Sequence, residues 1–554
     1  MTESPHLAPI RAALGAAAEA VAGQPPAAVP LAPPAQPEMG DIASPVAMAM
    51  AKAAKRPPRD IAQGIADLLT GASHDWLESV EVAGPGFLNL RLTPAWFAGV
   101  AAAVAEAGAD HGRDCVAEPR RILMEYVSAN PTGPPHVGHA RQAAYGDSLA
   151  RLLAFGGHTV AREYYVNDHG RQMRLFGASV AARYAQACGI EAEIPEGGYQ
   201  GEYVVGIAAT LFAEMGDAWA DGADPPTEEA LGWFTDRGRE LMLDQIGAEL
   251  ERFRVRFDAW FSETTLHEAD RVAAAVRALR DSGDAYEQEG AVWFATSRYG
   301  DEKDRVLVRS DGEPTYLAAD VAYHLDKAGR GDDILVDVLG ADHHGYIARL
   351  RAVLAAGGHP PEMLETSIIQ LVSLIEHGEA RKMSKRSGTV VTLGDLLDDI
   401  GVDAARFFLV QRSHETALDL DLDLAREQSQ ENPVYYVQYA HARVCSILGQ
   451  LAEGDHPPAG TPPPATLDPA ERALALALAA WPEALAEAIE RRAPHRVATY
   501  LVDLAREFHG FYHRCRVVGE PEDVRALRIA LCRATAGTAR AGLDLLGVEA
   551  PERM

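Results

Sequence analysis

The sequence predicts a parallel α/β core, preceded by a small α+β domain and followed by an all-α helical bundle. Three observations point there. Residues 121–166 read strand, helix, strand: RILMEYVSA is compact and apolar, RQAAYGDSLARLLAFGGH is helical and ends at paired glycines, and TVAREYYV is strand-like again. Two further strand-like runs, DDILVDVLG and TSIIQLVSLIE, flank the helical YIARLRAVLAAGG, as the second half of one parallel sheet would. After about residue 413 strand patterns vanish, leaving long helical ones such as ALALALAAWPEALAEAIERR and VATYLVDLAREFHGFYHRCRV.

The elements follow in order. IRAALGAAAEAVAG is an Ala-rich helix, and GQPPAAVPLAPPAQPEMGD is too rich in proline for a long helix. SPVAMAMAKAAKRPPRDIAQGIADLLTG returns to helical spacing punctuated by Pro57-Pro58, and EVAGPGFLNLRL alternates like a strand. These make an α+β domain of residues 1–112. The α/β domain spans 113–412, with an inserted, mostly helical segment at about 190–300, and the bundle spans 413–554.

Composition narrows the class. A chain of 554 residues, 47% hydrophobic and 24% charged, is a multidomain globular protein rather than a disordered or membrane one. The opening MTESPHLAPIRAALG lacks a basic segment followed by a strongly apolar one, so a cytoplasmic protein is expected. Five scattered cysteines with no C-x-x-C pair argue against a disulfide framework and a zinc knuckle. The net charge of −29 disfavours indiscriminate polyanion binding, yet residues 491–540 carry ten arginines against five acids, a local footprint for a polyanion.

Two motifs carry chemistry. In NPTGPPHVGHARQ, His136 and His139 sit at i and i+3 at a helix start, with Gly138 between them to allow close ligand approach. A helix start gathers orphan N–H groups and the positive dipole end, which suits a phosphate. Far along the chain, HGEARKMSKRSGTVVTLGDLL places Lys382 and Lys385 in a short loop with Ser384, Gly388 and Thr389. Ammonium groups there offset the charge that gathers on a departing pyrophosphate.

Together PTGPPHVGHAR and KMSKR resemble the paired signatures of class I aminoacyl-tRNA synthetases. ANPTGPPHVGHARQAAYGDSLARLL, YYVNDHGRQM, FDAWFSE, EPTYLAADVAYHLDK, GADHHGY, ENPVYYVQYAHAR and LLGVEAPERM resemble the arginyl-tRNA synthetase family in particular, over nearly the whole chain. The resemblance implies a Rossmann-like catalytic domain between an N-terminal domain that binds the tRNA D-loop and a C-terminal, DALR-type anticodon-binding bundle. It implies arginine–tRNA ligase activity, with ATP and Mg2+ as co-substrate, no tightly bound cofactor, and tRNA(Arg) and L-arginine as the other partners. Two positions depart from the family's pattern: Arg386 stands where serine is common, and Pro45 where asparagine is usual.

The resemblance also implies roles. His136, His139, Lys382 and Lys385 would act on the phosphates. His136, Gly138, His139, Gly340, Asp342, His343, His344, Met383, Ser384 and Lys385 would bind ATP. A guanidinium needs a carboxylate and an aromatic or hydroxyl neighbour. Tyr316 and Asp320 offer both at i, i+4, and Glu125, Ser128, Asn130 and His136 complete the implied arginine contacts. For the anticodon, Tyr435, Tyr436, Tyr439, Arg443 and Arg514 are candidates, because loop bases are read by stacking and edge hydrogen bonds; a core role for the three tyrosines is an equal alternative. We expect no structural metal, no membrane contact and a monomer. Two alternatives stay open: a small-molecule nucleotidyltransferase, and a non-catalytic tRNA-binding paralogue.

Overall fold

The computed structural model describes residues 3–219, 226–381, 391–452, 458 and 460–554, without the side chains of 342–344. It divides into two units, one of Met1–Ala117, Phe155–Gly157 and Gln428–Met554, the other of Glu118–Ala154 and His158–Glu427. No described helix is long and apolar enough to cross a membrane.

The first unit opens with α1 (Ala8–Ala22), β1 (Ile42–Ser44), α2 (Val46–Ala54) and α3 (Pro58–Gly71). Pro58 is tolerated at the first turn of α3, where its missing N–H has no helical partner to lose. Pro45 stands at the N-terminal boundary of α2, and its carbonyl accepts from Met48 N–H at 3.0 Å. EVAGPGFLNLRL is a hairpin rather than one strand: β2 (Leu77–Ala83) turns through Gly84-Pro85-Gly86 into β3 (Phe87–Leu92), in the sheet order β1-β3-β2. The glycines allow the turn, with φ of 49° and 140°. α4 (Pro94–Ala107) completes this part.

The second unit begins with β4 (Arg121–Glu125), α5 (Val137–Phe155) and β5 (Thr159–Val166), and β4 and β5 pair in parallel as expected. α6 (Arg171–Ala187), α7 (Glu202–Met215) and α8 (Glu228–Arg252) form the helical insertion. The insertion is less helical than its pattern suggests, because β6 (Ala259–Ser262) joins the main sheet as its edge strand. Beyond α9 (Thr264–Glu268) and α10 (Arg271–Asp281), the strands β7 (Ala285–Gln288), β8 (Ala291–Phe294) and β9 (Arg305–Val308) make a separate antiparallel sheet. Then come α11 (Tyr316–Gly329), β10 (Ile334–Gly340), α12 (Ile347–Ala356) and β11 (Leu364–Ile369). The main sheet has the order β11-β10-β4-β5-β6, all parallel.

TSIIQLVSLIE is broken after Ile369. Its second half is β12 (Val372–Glu376), which pairs with β13 (Glu379–Ala380) and with β14 (Leu418–Asp421) in another sheet. The break is held by Arg141, fully buried, whose guanidinium donates to the carbonyls of Gln370, Thr416 and Ser413 at 2.8–3.0 Å. Thus strand does not end at 413: β14 follows α13 (Leu393–Val410) and leads into α14 (Leu422–Arg426). A second fully buried arginine, Arg406, meets Asp147 at 2.6 Å and fastens α13 to α5.

The first unit resumes with α15 (Pro433–Gly449), α16 (Pro469–Glu490), α17 (His495–Arg514) and α18 (Glu522–Leu545). These helices and the N-terminal elements share one core. Arg472 on α16 reaches Asp41 at 2.9 Å, and Trp481, fully buried, donates to the carbonyl of His111 at 2.9 Å. α18 crosses the end of α4 so closely that a Cβ on Gly537 would lie 2.6–2.8 Å from backbone atoms of Gly108. Backbone cannot rotate aside as a side chain can. Gly537→Ala is therefore expected to destabilise this unit by about 1–3 kcal/mol, although alanine is the better helix former. A drop in the urea midpoint of unfolding would show it.

Candidate active site

A parallel sheet binds ligands beyond the carboxyl ends of its strands, where chain order reverses. Here that point lies between β4 and β10, because β5 and β6 extend to one side of β4 and β10 and β11 to the other. Glu125 is the last residue of β4. The chain then turns sharply, with Ser128 N–H donating to the Tyr126 carbonyl at 3.0 Å and with positive φ at Val127 (69°) and Ser128 (41°). Left-handed backbone at a β-branched valine costs on the order of 1–3 kcal/mol, and such strain survives only where surrounding contacts impose it. Its effect is to aim Ser128. The hydroxyl donates to Glu125 Oε1 at 3.0 Å and accepts from Tyr165 N–H at 3.1 Å, while Asn130 donates to Gln172 Oε1 at 2.7 Å.

The first motif follows at the start of α5. The rings of His136 and His139 stack with centroids 3.8 Å apart and planes 18° from parallel. His136 Nδ1 accepts from Gly138 N–H at 3.1 Å, and His139 Nδ1 accepts from His136 N–H at 3.3 Å. Both Nδ1 atoms being acceptors, the proton of each neutral imidazole sits on Nε2. Two stacked imidazole rings at a helix N-terminus are an arrangement suited to phosphate oxygens. A Cβ on Gly138 would fall 2.9 Å from His136 Cε1. Gly138→Ala should keep the fold but turn the His136 ring aside, lowering the rate of the phosphate chemistry about 100-fold in an exchange assay while circular dichroism stays unchanged.

The second motif, with Lys382, Met383, Ser384, Lys385 and Arg386, lies outside the described residues. Its C-terminal flank is described and runs beside the first motif. Val137 N–H donates to the Val391 carbonyl at 3.2 Å, Leu393 N–H to that of Pro135 at 2.7 Å, and His136 bridges to Thr392. Thr392 then caps α13 with Asp395 in a reciprocal capping box. Gly340 ends β10, and the backbone of Ala341–Tyr346 is a short 3-10 helix; the side chains of Asp342, His343 and His344 are outside the description.

The opposite wall is α11. Tyr316, at its first turn, is 60% exposed, whereas Asp320 is half-buried and accepts from the Tyr346 hydroxyl. Burial raises the Asp320 carboxyl above its ordinary value, against the pull of His324 and the Tyr346 hydroxyl. One turn further along, sequence reasoning missed a buried ionic network. Lys327, 1% exposed at its side chain, donates to Glu125 Oε2 at 2.8 Å and to Asp337 Oδ1 at 2.7 Å. His324 Nε2 lies 3.0 Å from the other oxygen of Asp337. Burial works against both charges, but Asp337 and Glu125 hold the Lys327 ammonium above its ordinary value, and Lys327 and His324 hold the Asp337 carboxyl well below the usual carboxylate range. Two signals could have revealed it. Asp320, His324 and Lys327 recur at i, i+4 and i+7 on one face of the helix, and Asp337 interrupts the apolar strand ILVDVLG, where a carboxylate needs a buried partner.

Comparisons with known proteins agree on one family. The chain matches the models for the N-terminal domain of arginyl-tRNA synthetase over residues 8–92, the catalytic domain of class I tRNA synthetases (R) over 104–425, and the DALR anticodon binding domain over 437–554. It is 45% identical over 521 residues to the arginine–tRNA ligase of Shouchella clausii, covering 93% of this chain and 92% of that one. The chain belongs to the arginyl-tRNA synthetase family. A second relative, the arginine–tRNA ligase of Geobacillus thermodenitrificans, is 45% identical over 98% of each chain. The solved arginyl-tRNA synthetase of Thermus thermophilus superposes with a TM-score of 0.76 at 27% identity, over 99% of this chain and all of that one.

The family's anticodon-binding model falls on helices α15 to α18. There Tyr435, Tyr436 and Tyr439 are half-buried rather than core residues. Tyr435 and Tyr439 lie nearly parallel with centroids 6.1 Å apart, and Tyr436 packs on His509 at 4.6 Å. The Arg443 guanidinium is flanked by the rings of Tyr439 and Tyr512, at 4.9 and 4.6 Å. The arginine island is less cationic in space than in sequence. Arg514 meets Asp468 at 3.1 Å, Arg528 meets Glu471 at 2.6 Å, Arg491 and Arg496 meet Glu487, and Arg540 meets Glu552. Each of these acids lies outside 491–540, so counting along the chain could not include it.

Proposed function

We propose that the chain activates L-arginine with ATP, as its magnesium complex, to arginyl-adenylate and pyrophosphate, and then transfers arginine to the 3′ end of tRNA(Arg), releasing AMP. One observation supports this reading: at a single switch point of a parallel sheet, half-buried carboxylates that suit a guanidinium lie on β4 and α11, and a helix start with paired imidazoles that suits phosphates follows β4. In the first step the arginine carboxylate attacks the α-phosphorus in line, and no covalent enzyme intermediate is needed. His136 and His139 orient the phosphates through Nε2–H, and Lys382 and Lys385 offset charge on the departing pyrophosphate. Gly138 leaves room for the adenine, Gly340 and the Asp342-His343-His344 turn border the nucleoside, and Met383 and Ser384 belong to the same ATP site. Glu125, Tyr316 and Asp320 bind the guanidinium, and Ser128, Asn130 and His136 hold the α-amino and carboxylate groups.

In the second step the 2′-hydroxyl of the terminal adenosine attacks the adenylate carbonyl. Residues 1–112 contact the D-loop. Tyr435, Tyr436, Tyr439, Arg443 and Arg514 meet the anticodon loop, with the half-buried tyrosines supplying stacking faces and Arg443 a pre-oriented guanidinium between two rings. The test is exchange of labelled pyrophosphate into ATP across a panel of amino acids, with and without tRNA. Exchange with arginine only, and only with tRNA present, is expected. No exchange with arginine overturns the specificity, and silence across the panel favours a non-catalytic tRNA-binding protein.

A further inference from the structure

We propose that Tyr203 of the helical insertion is a positioning residue for the activation step, acting through the loop of residues 130–135 on the imidazoles of His136 and His139. This deepens the reading given above and rests on it, since it takes those two histidines to face the phosphates of ATP. The loop lies between β4 and α5, and Pro131, Pro134 and Pro135 have no N–H with which to anchor it. Thr132 N–H closes a tight turn around Pro131 by donating to the Asn130 carbonyl at 2.7 Å. The carbonyl of Thr132, itself a buried residue, then accepts from the Tyr203 hydroxyl at 2.9 Å, across 71 positions of chain. A buried carbonyl that lost its donor would be left with an unmet hydrogen bond.

Two glycines show that this contact is built into the fold. Tyr203 stands in the first turn of α7, and its ring covers Gly201 at the N-terminal boundary of that helix, where a Cβ would collide with the ring. On the loop side, a Cβ on Gly133 would fall 3.2 Å from the Tyr203 hydroxyl oxygen and 3.3 Å from Cζ. Neither glycine has a φ in the left-handed region, so backbone conformation does not call for glycine at either position; the ring that touches both does. Behind Tyr203, Val204, Ile207, Ala208 and Leu211 are buried, and α7 packs on α6. α6 supplies a second hold on the same turn, where Gln172 accepts from the Asn130 amide at 2.7 Å. Tyr203 is half-buried, and burial pushes its phenol up to about 12, so the hydroxyl remains a neutral donor at physiological pH.

Only Gly133, Pro134 and Pro135 separate Thr132 from His136. The two prolines fix consecutive φ angles, which makes the link a stiff spacer. Its far end is pinned as well: the Pro135 carbonyl accepts from Leu393 N–H at 2.7 Å, and His136 N–H donates to His139 Nδ1 at 3.3 Å. A stiff link held at both ends sets where the two rings stand, and Tyr203 holds one of the ends. Releasing it misplaces groups whose interactions are strongest in the transition state, so the loss falls on kcat rather than on substrate binding.

The experiment is exchange of labelled pyrophosphate into ATP by the full-length protein with arginine and tRNA(Arg), comparing the wild type with Tyr203→Phe, Gly133→Ala and the double variant. Tyr203→Phe keeps the ring and deletes the donor. It should lower kcat about tenfold and leave the KM values for arginine and for ATP each within about twofold. Gly133→Ala presses on the same hydroxyl from the loop side and should cost a similar factor. Because both changes act through one contact, the double variant should lose about tenfold and not about a hundredfold. A kcat for Tyr203→Phe within twofold of the wild type, losses that multiply in the double variant, or a rise in both KM values at unchanged kcat would each overturn the proposal. If Gly133→Ala does not fold, Tyr203→Phe decides by its split between kcat and KM. Absence of arginine-dependent exchange in the wild-type protein fails differently: it removes the ligase reading, and with it the step that Tyr203 serves.

Discussion

Lys327→Met is expected to destabilise the unit that carries the active site by about 3–5 kcal/mol, because removing one member of a buried ion pair leaves the others charged and uncompensated. Lys327 is the cation between Glu125 and Asp337, with contacts of 2.8 and 2.7 Å and almost no solvent access. Methionine fills the volume and supplies no charge. The comparison of Lys327→Met with the double replacement Lys327→Met, Asp337→Asn separates charge from packing: the second change should recover part of the loss. If urea unfolding gives additive losses for the two positions, the network is not the cause.

The pH dependence has a definite sign. Asp337 is depressed on folding, so its stabilisation is present above the ordinary aspartate range and is lost as pH falls below about 4. Lys327 is raised on folding, so its stabilisation is in force below the ordinary lysine value and disappears only as strongly alkaline solution deprotonates the folded state. The network therefore stabilises the fold at full strength across the neutral range. Urea midpoints measured from pH 7 down to pH 3 should fall steeply at the acid end in the wild-type protein and less steeply in Asp337→Asn.

Asp320→Asn is expected to lower kcat/KM for arginine about 100- to 1000-fold while leaving the KM for ATP nearly unchanged. Losing one partner of a buried charged hydrogen bond costs about 2–5 kcal/mol, and the amide would turn a donor toward a ligand that is itself all donors. Asp320 sits on α11, and the Tyr346 hydroxyl donates to its carboxylate and holds its orientation. Tyr346→Phe should give a smaller effect in the same direction. A variant that lost ATP affinity as strongly as arginine affinity would show that Asp320 supports the whole crevice rather than one ligand.

Much of the active site is local chemistry, and local chemistry is legible. His136, Gly138 and His139 announce themselves because a helix start needs a ligand for its orphan N–H groups, and the α5 backbone supplies the spacing without help from the rest of the fold. Tyr316 and Asp320 are one helical turn apart, which the sequence states; that one is exposed and the other drawn inward is decided by Tyr346, contributed from beyond β10. The pairing of Lys327 is set from further away. Lys327 meets Glu125 from 202 positions away, so the sequence shows the charge and only the fold shows that partner.

By itself the sequence determined the class of the protein, the parallel βαβ core, the helix start that carries His136 and His139, and most helix positions. All of these rest on periodicity, capping and short-range turns, which act within a few residues. Only the tertiary structure decided which strand joins which sheet. TSIIQLVSLIE is uniformly apolar, so its pattern hides the break at Gln370 that Arg141 enforces, and LDLD at 418–421 is too short and acidic to read as a strand until β12 pairs with it. The arginines of 491–540 show the same limit for charge. Their neutralising acids at 468 and 471 are brought near by packing, and electrostatic interaction depends on distance through space, not along the chain.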